Sequence, residues 1–139
     1  MADQTFEQAF DRTRASIDSR MKASDFAIQN YAKRAEQHMK SHRPWRDRTG
    51  EARRRLTASA SSSWQGMGGE RELRVEFRLA HGVPYGEHLE YGMGGRYAIL
   101  RPTAELFSVR MWRRLQTIWR GTGVGMATAS LIETAVEAE

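Results

Sequence analysis

Leu73-Arg74-Val75-Glu76-Phe77-Arg78-Leu79 decides how this chain is read. Apolar side chains stand at every second position with charges between them, so the segment has one dry face and one wet face, as a half-buried strand requires. Upstream, Thr57 to Trp64 is rich in Ser and Thr and suits an exposed strand, and Gln65-Gly66-Met67-Gly68-Gly69-Glu70 between the two reads as a turn. Two strands joined this way form an antiparallel hairpin whose dry face needs a cover.

The N-terminal third supplies that cover. Phe6, Phe10, Thr13, Ile17, Met21, Ile28, Tyr31, Ala35 and Met39 recur in steps of three and four, with Ser24 in the one weak slot. This traces one face of a helix from about Thr5 to about His42, with no Gly or Pro inside it and Pro44 as its stop. Such a helix is roughly 55 Å long, more than a compact domain of this size needs. About half of it is expected on the chain's own sheet and the remainder at a subunit contact.

Past Pro44, the run Trp45-Arg46-Asp47-Arg48-Thr49-Gly50-Glu51-Ala52-Arg53-Arg54-Arg55-Leu56 reads as a loop leading into a short helix, capped by Asp47 or Thr49. Pro84 opens another short helix at its first position, and the glycines that follow end it. Tyr97 to Leu100, an apolar run between glycine and proline, is expected as a third strand. Pro102 then opens an amphipathic helix to about Arg120, broken by Gly121, Gly123 and Gly125. Leu131, Ile132 and Val136 stand at helical spacing in the last segment. The expected fold is α+β: a long N-terminal helix on a small antiparallel sheet of three or four strands, with short helices and a C-terminal helix. Residues 1–120 form a single domain, and 121–139 an acidic arm or short helix.

Composition narrows the function classes. With 139 residues and 40% hydrophobic content the chain holds one modest core. It has no cysteine, so neither a disulfide framework nor a thiolate metal site is available. Asp3, Glu7, Asp11 and Asp18 leave no apolar core for a signal peptide, and no stretch approaches a membrane span, so a soluble product is expected. The net charge of +5 is unevenly placed: residues 43–59 and 110–121 each carry +4, whereas 122–139 carry −3 from Glu133, Glu137 and Glu139. An acidic tail of one copy reaching a basic block of the next is electrostatically favourable.

Catalytic readings find little footing. His81, Tyr85, His88 and Glu90 bring metal- and proton-handling side chains into one stretch, but without His-Glu-x-x-His spacing they read as a polar face on a short helix. His38 and His42 stand four apart on a solvated helix end, where such a pair is usually incidental. The glycines at 92, 94 and 95 are followed by no Gly-Lys-Ser or Gly-Lys-Thr, so they make a turn rather than a phosphate loop. There is no Gly-x-Ser-x-Gly elbow. No catalytic, cofactor-binding or metal residue is assigned.

Three segments in order carry a resemblance. They are Trp45-x-Asp47-Arg48-Thr49-Gly50-x-Ala52-Arg53, His81-Gly82-Val83-x-Tyr85-Gly86-x-x-Leu89-Glu90, and a Gly-rich turn into Tyr97-Ala98-Ile99-Leu100-x-Pro102-Thr103. Across roughly residues 40–120 the chain resembles the tail-completion, head-tail joining family of lambdoid and related siphophages. The resemblance implies a small α+β subunit, with a long helix on an antiparallel sheet, that assembles as a hexameric ring at the top of the tail. It further implies a structural virion protein of the neck, made in the host cytoplasm, with no enzyme activity and no cofactor. Its partners would be further copies of itself, a neighbouring adaptor or stopper protein and the tail tube protein, with passing contact to genomic DNA and no membrane.

The residues singled out are therefore interface residues. Trp45, Arg48, Tyr85, Glu90, Tyr97 and Pro102 are the matched positions, and Arg53, Arg54 and Arg55 with Glu133 and Glu137 form a candidate inter-subunit pair. For Trp45 the plainer expectation is a plug in the core. Two other classes stay open: a DNA-binding protein using Arg53 to Arg55 with Arg110, Arg113, Arg114 and Arg120, and a non-viral oligomerising adaptor.

Overall fold

A computed structural model describes residues 2–46, 49–66 and 72–133. Helix α1 (Ala2–His42) leads into the short α2 (Glu51–Arg54), the strands β1 (Thr57–Gln65) and β2 (Glu72–Ala80), the short α3 (Gly86–Tyr91) and a 3-10 turn (Gly92–Gly95). Helix α4 (Leu100–Trp119) and strand β3 (Gly125–Glu133) follow. The fold is α+β, with the long helix packed on the sheet as the apolar stripe requires.

The hairpin of β1 and β2 runs antiparallel from Thr57 opposite Ala80 to Gln65 opposite Glu72. In β2, Leu73, Val75, Phe77 and Leu79 are buried while Arg74, Glu76 and Arg78 face solvent. Ile28, Ala32, Ala35 and Met39 from α1 and Ala104, Phe107, Met111, Leu115 and Trp119 from α4 close over that dry face. The two helices lie side by side and antiparallel: the Trp119 indole N–H donates to Ser24 Oγ at 2.7 Å, and His38 meets the Phe107 ring edge-on at 5.4 Å. Ser24, the weak slot in the stripe, is thus a buried acceptor for tryptophan.

Helix α1 also seals the outer edge of β1. The Gln29 amide donates to the Ala60 carbonyl at 2.8 Å, and the Ala58 N–H donates to Glu36 Oε1 at 3.2 Å. Edge groups that would otherwise pair with another chain are occupied by side chains.

Three expectations are corrected. The C-terminal segment forms a strand, not a helix: β3 pairs parallel to β2, from Gly125 opposite Glu72 to Glu133 opposite Ala80, so the sheet is mixed, in the order β1-β2-β3. A parallel neighbour needs a crossover, and α4 provides it. Residues 97–100 are not a strand but the approach to α4, with Ile99 and Leu100 buried as its apolar start. Helix α4 begins before Pro102, which is tolerated in the first turn because its missing N–H would have no partner within the helix. The helix ends as Arg120 turns extended, and Gly121, with φ of 77°, takes the left-handed position of the tight turn that follows, closed by the Thr122 N–H donating to the Trp119 carbonyl at 3.3 Å.

Candidate functional site

The three segments that carry the resemblance converge in space. Trp45, half-buried against the core, sets its indole 5.7 Å from the His81 ring. His81 is buried, and its Nε2–H donates to Glu90 Oε1 at 3.3 Å. Glu90 is only 2% exposed and reaches the N-terminus of α4. Its Oε1 accepts the Ile99 and Leu100 N–H groups at 3.0 and 2.9 Å, and its Oε2 accepts that of Arg101 at 3.1 Å. One side chain from α3 therefore caps a helix ten residues downstream, satisfying donors that a helix cannot pair itself.

This geometry fixes the charge on Glu90. Burial pushes its carboxyl upward, but the hydrogen bond from His81 and those from the backbone of Leu100, Arg101 and Ile99 together outweigh it. The carboxyl is held below the ordinary glutamate value, and an ionised, acceptor-only group is what four converging donors require.

The glycines of the second segment are explained by the same junction. A Cβ on Gly82 would stand 2.7 Å from the Arg55 carbonyl oxygen, where Arg55 Nη1 donates back to the Gly82 carbonyl at 3.1 Å. A Cβ on Gly86 would collide with His81 Cβ. The His-Gly-Val-x-Tyr-Gly pattern is thus a packing solution that brings α2, α3 and the start of α4 together.

Around this core the remaining singled-out residues are distributed unevenly. Pro44, Trp45, Arg46, Arg96 and Tyr97 line an open hollow of about 580 Å³, with the Arg96 guanidinium 5.6 Å from the Tyr97 ring. Tyr85 is exposed, as are Tyr91 and Met93 a few residues on. Met93 adopts a positive φ of 51° in its glycine-rich turn, a conformation uncommon for a residue with a side chain. Pro102 lies exposed in the first turn of α4. Tyr, Arg and Met exposed beside a rigid junction match the composition of protein interfaces.

Glu90, by contrast, points inward and its carboxylate is committed within the chain. Arg55 pairs with Glu51 at 3.2 Å, and Glu133 with Arg78 at 3.4 Å, both in solvent. Arg53 and Arg54 are exposed and border, with Lys40 and Gly50, a cleft of about 390 Å³. An adjoining cleft is lined by Gln37, Lys40, Ser41, Arg43 and Arg53, so the basic block that begins at Arg43 is joined in space by Lys40, which lies outside it in sequence. Arg48, Asp47 and Glu137 lie outside the described residues. The N-cap of α2 is Gly50, in the left-handed region and without a side-chain cap, in place of the expected Asp47 or Thr49; Thr49 Oγ1 accepts only the Glu51 N–H, at 3.3 Å, from one residue further out.

His38 and His42 stack at 4.3 Å. Burial first, then the neighbouring His42 and Arg110, hold His38 below the usual histidine value. Among the described residues no three His, Asp or Glu side chains are grouped to hold a metal ion, and no helix is long and apolar enough to cross a membrane.

Compared with protein-family models, with curated proteins and with solved structures, the chain matches none.

Proposed function

We propose that this chain is a noncatalytic structural subunit of a long-tailed phage neck, forming a ring of identical copies that completes the tail where it joins the head. The observation that carries the reading is the convergence of the three resembling segments on one buried junction. Trp45, His81, Glu90 and the start of α4 are sequence-distant, yet they make one continuous set of contacts. Three segments far apart in the chain are then accounted for by one packed junction, with Arg46, Tyr85, Arg96 and Tyr97 at its surface for a neighbour. Further support comes from the first half of α1, which exposes Phe6, Phe10 and Ile17 to solvent in the isolated chain.

The virion is the proposed location, with the adaptor or stopper protein, the tail tube protein and further copies of the chain as partners. The basic patch at the end of α1 supports a secondary contact with DNA passing through the ring. The test is incubation of the purified chain with isolated siphophage tail tubes, followed by electron microscopy. Rings seated at one end of the tubes are expected; a chain that never associates with tubes overturns the reading.

A further inference from the structure

We infer that the clefts between the end of α1 and α2 form one surface for the sugar-phosphate backbone of duplex DNA, held by Lys40, Arg43, Arg53 and Arg54 without reading sequence. That the duplex is DNA rests on the neck reading above; the surface itself rests on where the chain gathers its charge.

Residues 33–55 carry nine basic and three acidic side chains, a net +6, whereas the whole chain carries +5. The remaining residues therefore sum to −1, and an anionic partner attracted by charge is attracted to this part of the molecule. Folding concentrates the charge further. Gln37, Lys40, Ser41, Arg43 and Arg53 line one open cleft of about 560 Å³, and Lys40, Gly50, Arg53 and Arg54 line the next, of about 390 Å³, so Lys40 and Arg53 are common to both.

The cations are placed rather than neutralised. Arg43 Nη1 donates to the Lys40 carbonyl at 2.6 Å, and Arg54 Nη2 to the Thr49 carbonyl at 3.4 Å. A backbone carbonyl fixes a guanidinium without cancelling its charge, and a cation already in place loses less rotamer freedom when an anion arrives. Three carboxylates belong to this stretch. Glu36 pairs with Lys40 at 3.6 Å while also accepting the Ala58 N–H, and Glu51 pairs with Arg55 at 3.2 Å. Asp47 lies outside the described residues, as does Arg48 beside it, and the two cancel in charge. Among the described residues no carboxylate lines either cleft. Glu133, expected against Arg53 to Arg55 of a neighbouring copy, pairs with Arg78 at 3.4 Å.

The lining selects the partner. Among the described residues it holds no aromatic ring and no branched apolar side chain. A protein interface has an apolar or aromatic centre, and a single strand needs rings on which its bases stack. A duplex keeps its bases paired inside and presents phosphates, which arginine and lysine contact irrespective of sequence. The end of the second basic block lies elsewhere: Arg20 Nη1 donates to the Arg120 carbonyl at 3.4 Å, and Lys40 is twenty residues, roughly 30 Å, further along α1.

Fluorescence anisotropy of the full chain with a labelled DNA duplex, titrated at several salt concentrations, tests the surface. Four phosphate contacts predict a slope of log K against log salt of about −3 to −4, a loss of roughly 100-fold between about 50 and 200 mM. Lys40→Gln, Arg53→Gln and Arg54→Gln, each with native circular dichroism, should each bind about 5–10-fold more weakly and flatten the slope by about 1. Arg54→Lys, which keeps the charge, and Arg14→Gln and Arg120→Gln, which lie far from the clefts, should bind as the native chain does. A duplex of unrelated sequence should bind equally, and single-stranded DNA of the same length more weakly. No binding at the lowest salt, an equal loss from Arg120→Gln, or tighter binding of the single strand or of an RNA duplex overturns the inference. Duplex binding with the expected variant pattern, by a chain that forms no rings on tail tubes, leaves the surface standing and removes the neck reading instead.

Discussion

Replacing Glu90 by glutamine changes one atom type and tests the junction where it is most constrained. In the native chain two carboxylate oxygens accept three backbone N–H groups and the His81 ring N–H. In Glu90→Gln one of those oxygens becomes an NH₂, which faces a donor instead of accepting from it, and the remaining bonds lose their charge assistance. Hydrogen bonds to charged groups contribute about 1.5–3 kcal/mol against about 1 for neutral ones. The attraction of a carboxylate to a helix N-terminus adds about 0.5–1 kcal/mol. The sum for Glu90→Gln is a loss of about 2–3 kcal/mol, and for Glu90→Ala, which strips the buried cap entirely, about 3–5 kcal/mol.

Urea unfolding followed by circular dichroism measures both, with the m-value unchanged if only the native state is affected. The pH dependence supplies the sign. Because the folded carboxyl is held below its ordinary value, its stabilisation is fully present above that value, about 4.3, and is lost as pH falls through the folded value. The gap between native protein and Glu90→Gln should therefore be constant near neutrality and shrink in acid. A Glu90→Gln protein within about 0.5 kcal/mol of the native one at neutral pH would refute the capping argument.

Other expectations follow from neighbouring contacts. Gly82→Ala and Gly86→Ala each place a methyl group against the Arg55 backbone or His81 and should destabilise by about 1–3 kcal/mol, read by the same unfolding experiment. The His38 ring should titrate below the usual histidine value in NMR, and His42→Ala should bring it nearer to that value by removing one neighbouring charge. Since the unfolded chain binds that proton more readily, His38 contributes a loss of stability as pH falls below about 6.5. Removal of residues 1–18 should leave near-ultraviolet circular dichroism unchanged, because the buried stripe begins at Ser24.

The long helix and the hairpin were legible because their signals are periodic: the stripe from Met21 to Met39 and the alternation from Leu73 to Leu79 each mark one buried face. Strand β3 was not, since Gly-Met-Ala-Thr-Ala-Ser alternates weakly and Leu131 and Ile132 fit helical spacing as well as a strand end. Its place is set by pairing with β2, a tertiary fact. Residues 97–100 misled for a similar reason, a short apolar run being equally suited to a strand or a buried first turn. Glu90 was singled out by its segment, but its role was invisible because its partners are backbone N–H groups, which leave no mark on side-chain sequence. The glycines at 82 and 86 could be read as turns, though not as the close approaches to Arg55 and His81 that require them.

The neck assignment meets its most direct test in the microscope. Purified chain added to isolated siphophage tail tubes should appear as a closed ring of identical subunits at one tube end. A stable two-fold dimer held by the N-terminal helices alone, with bare tube ends, would contradict the account.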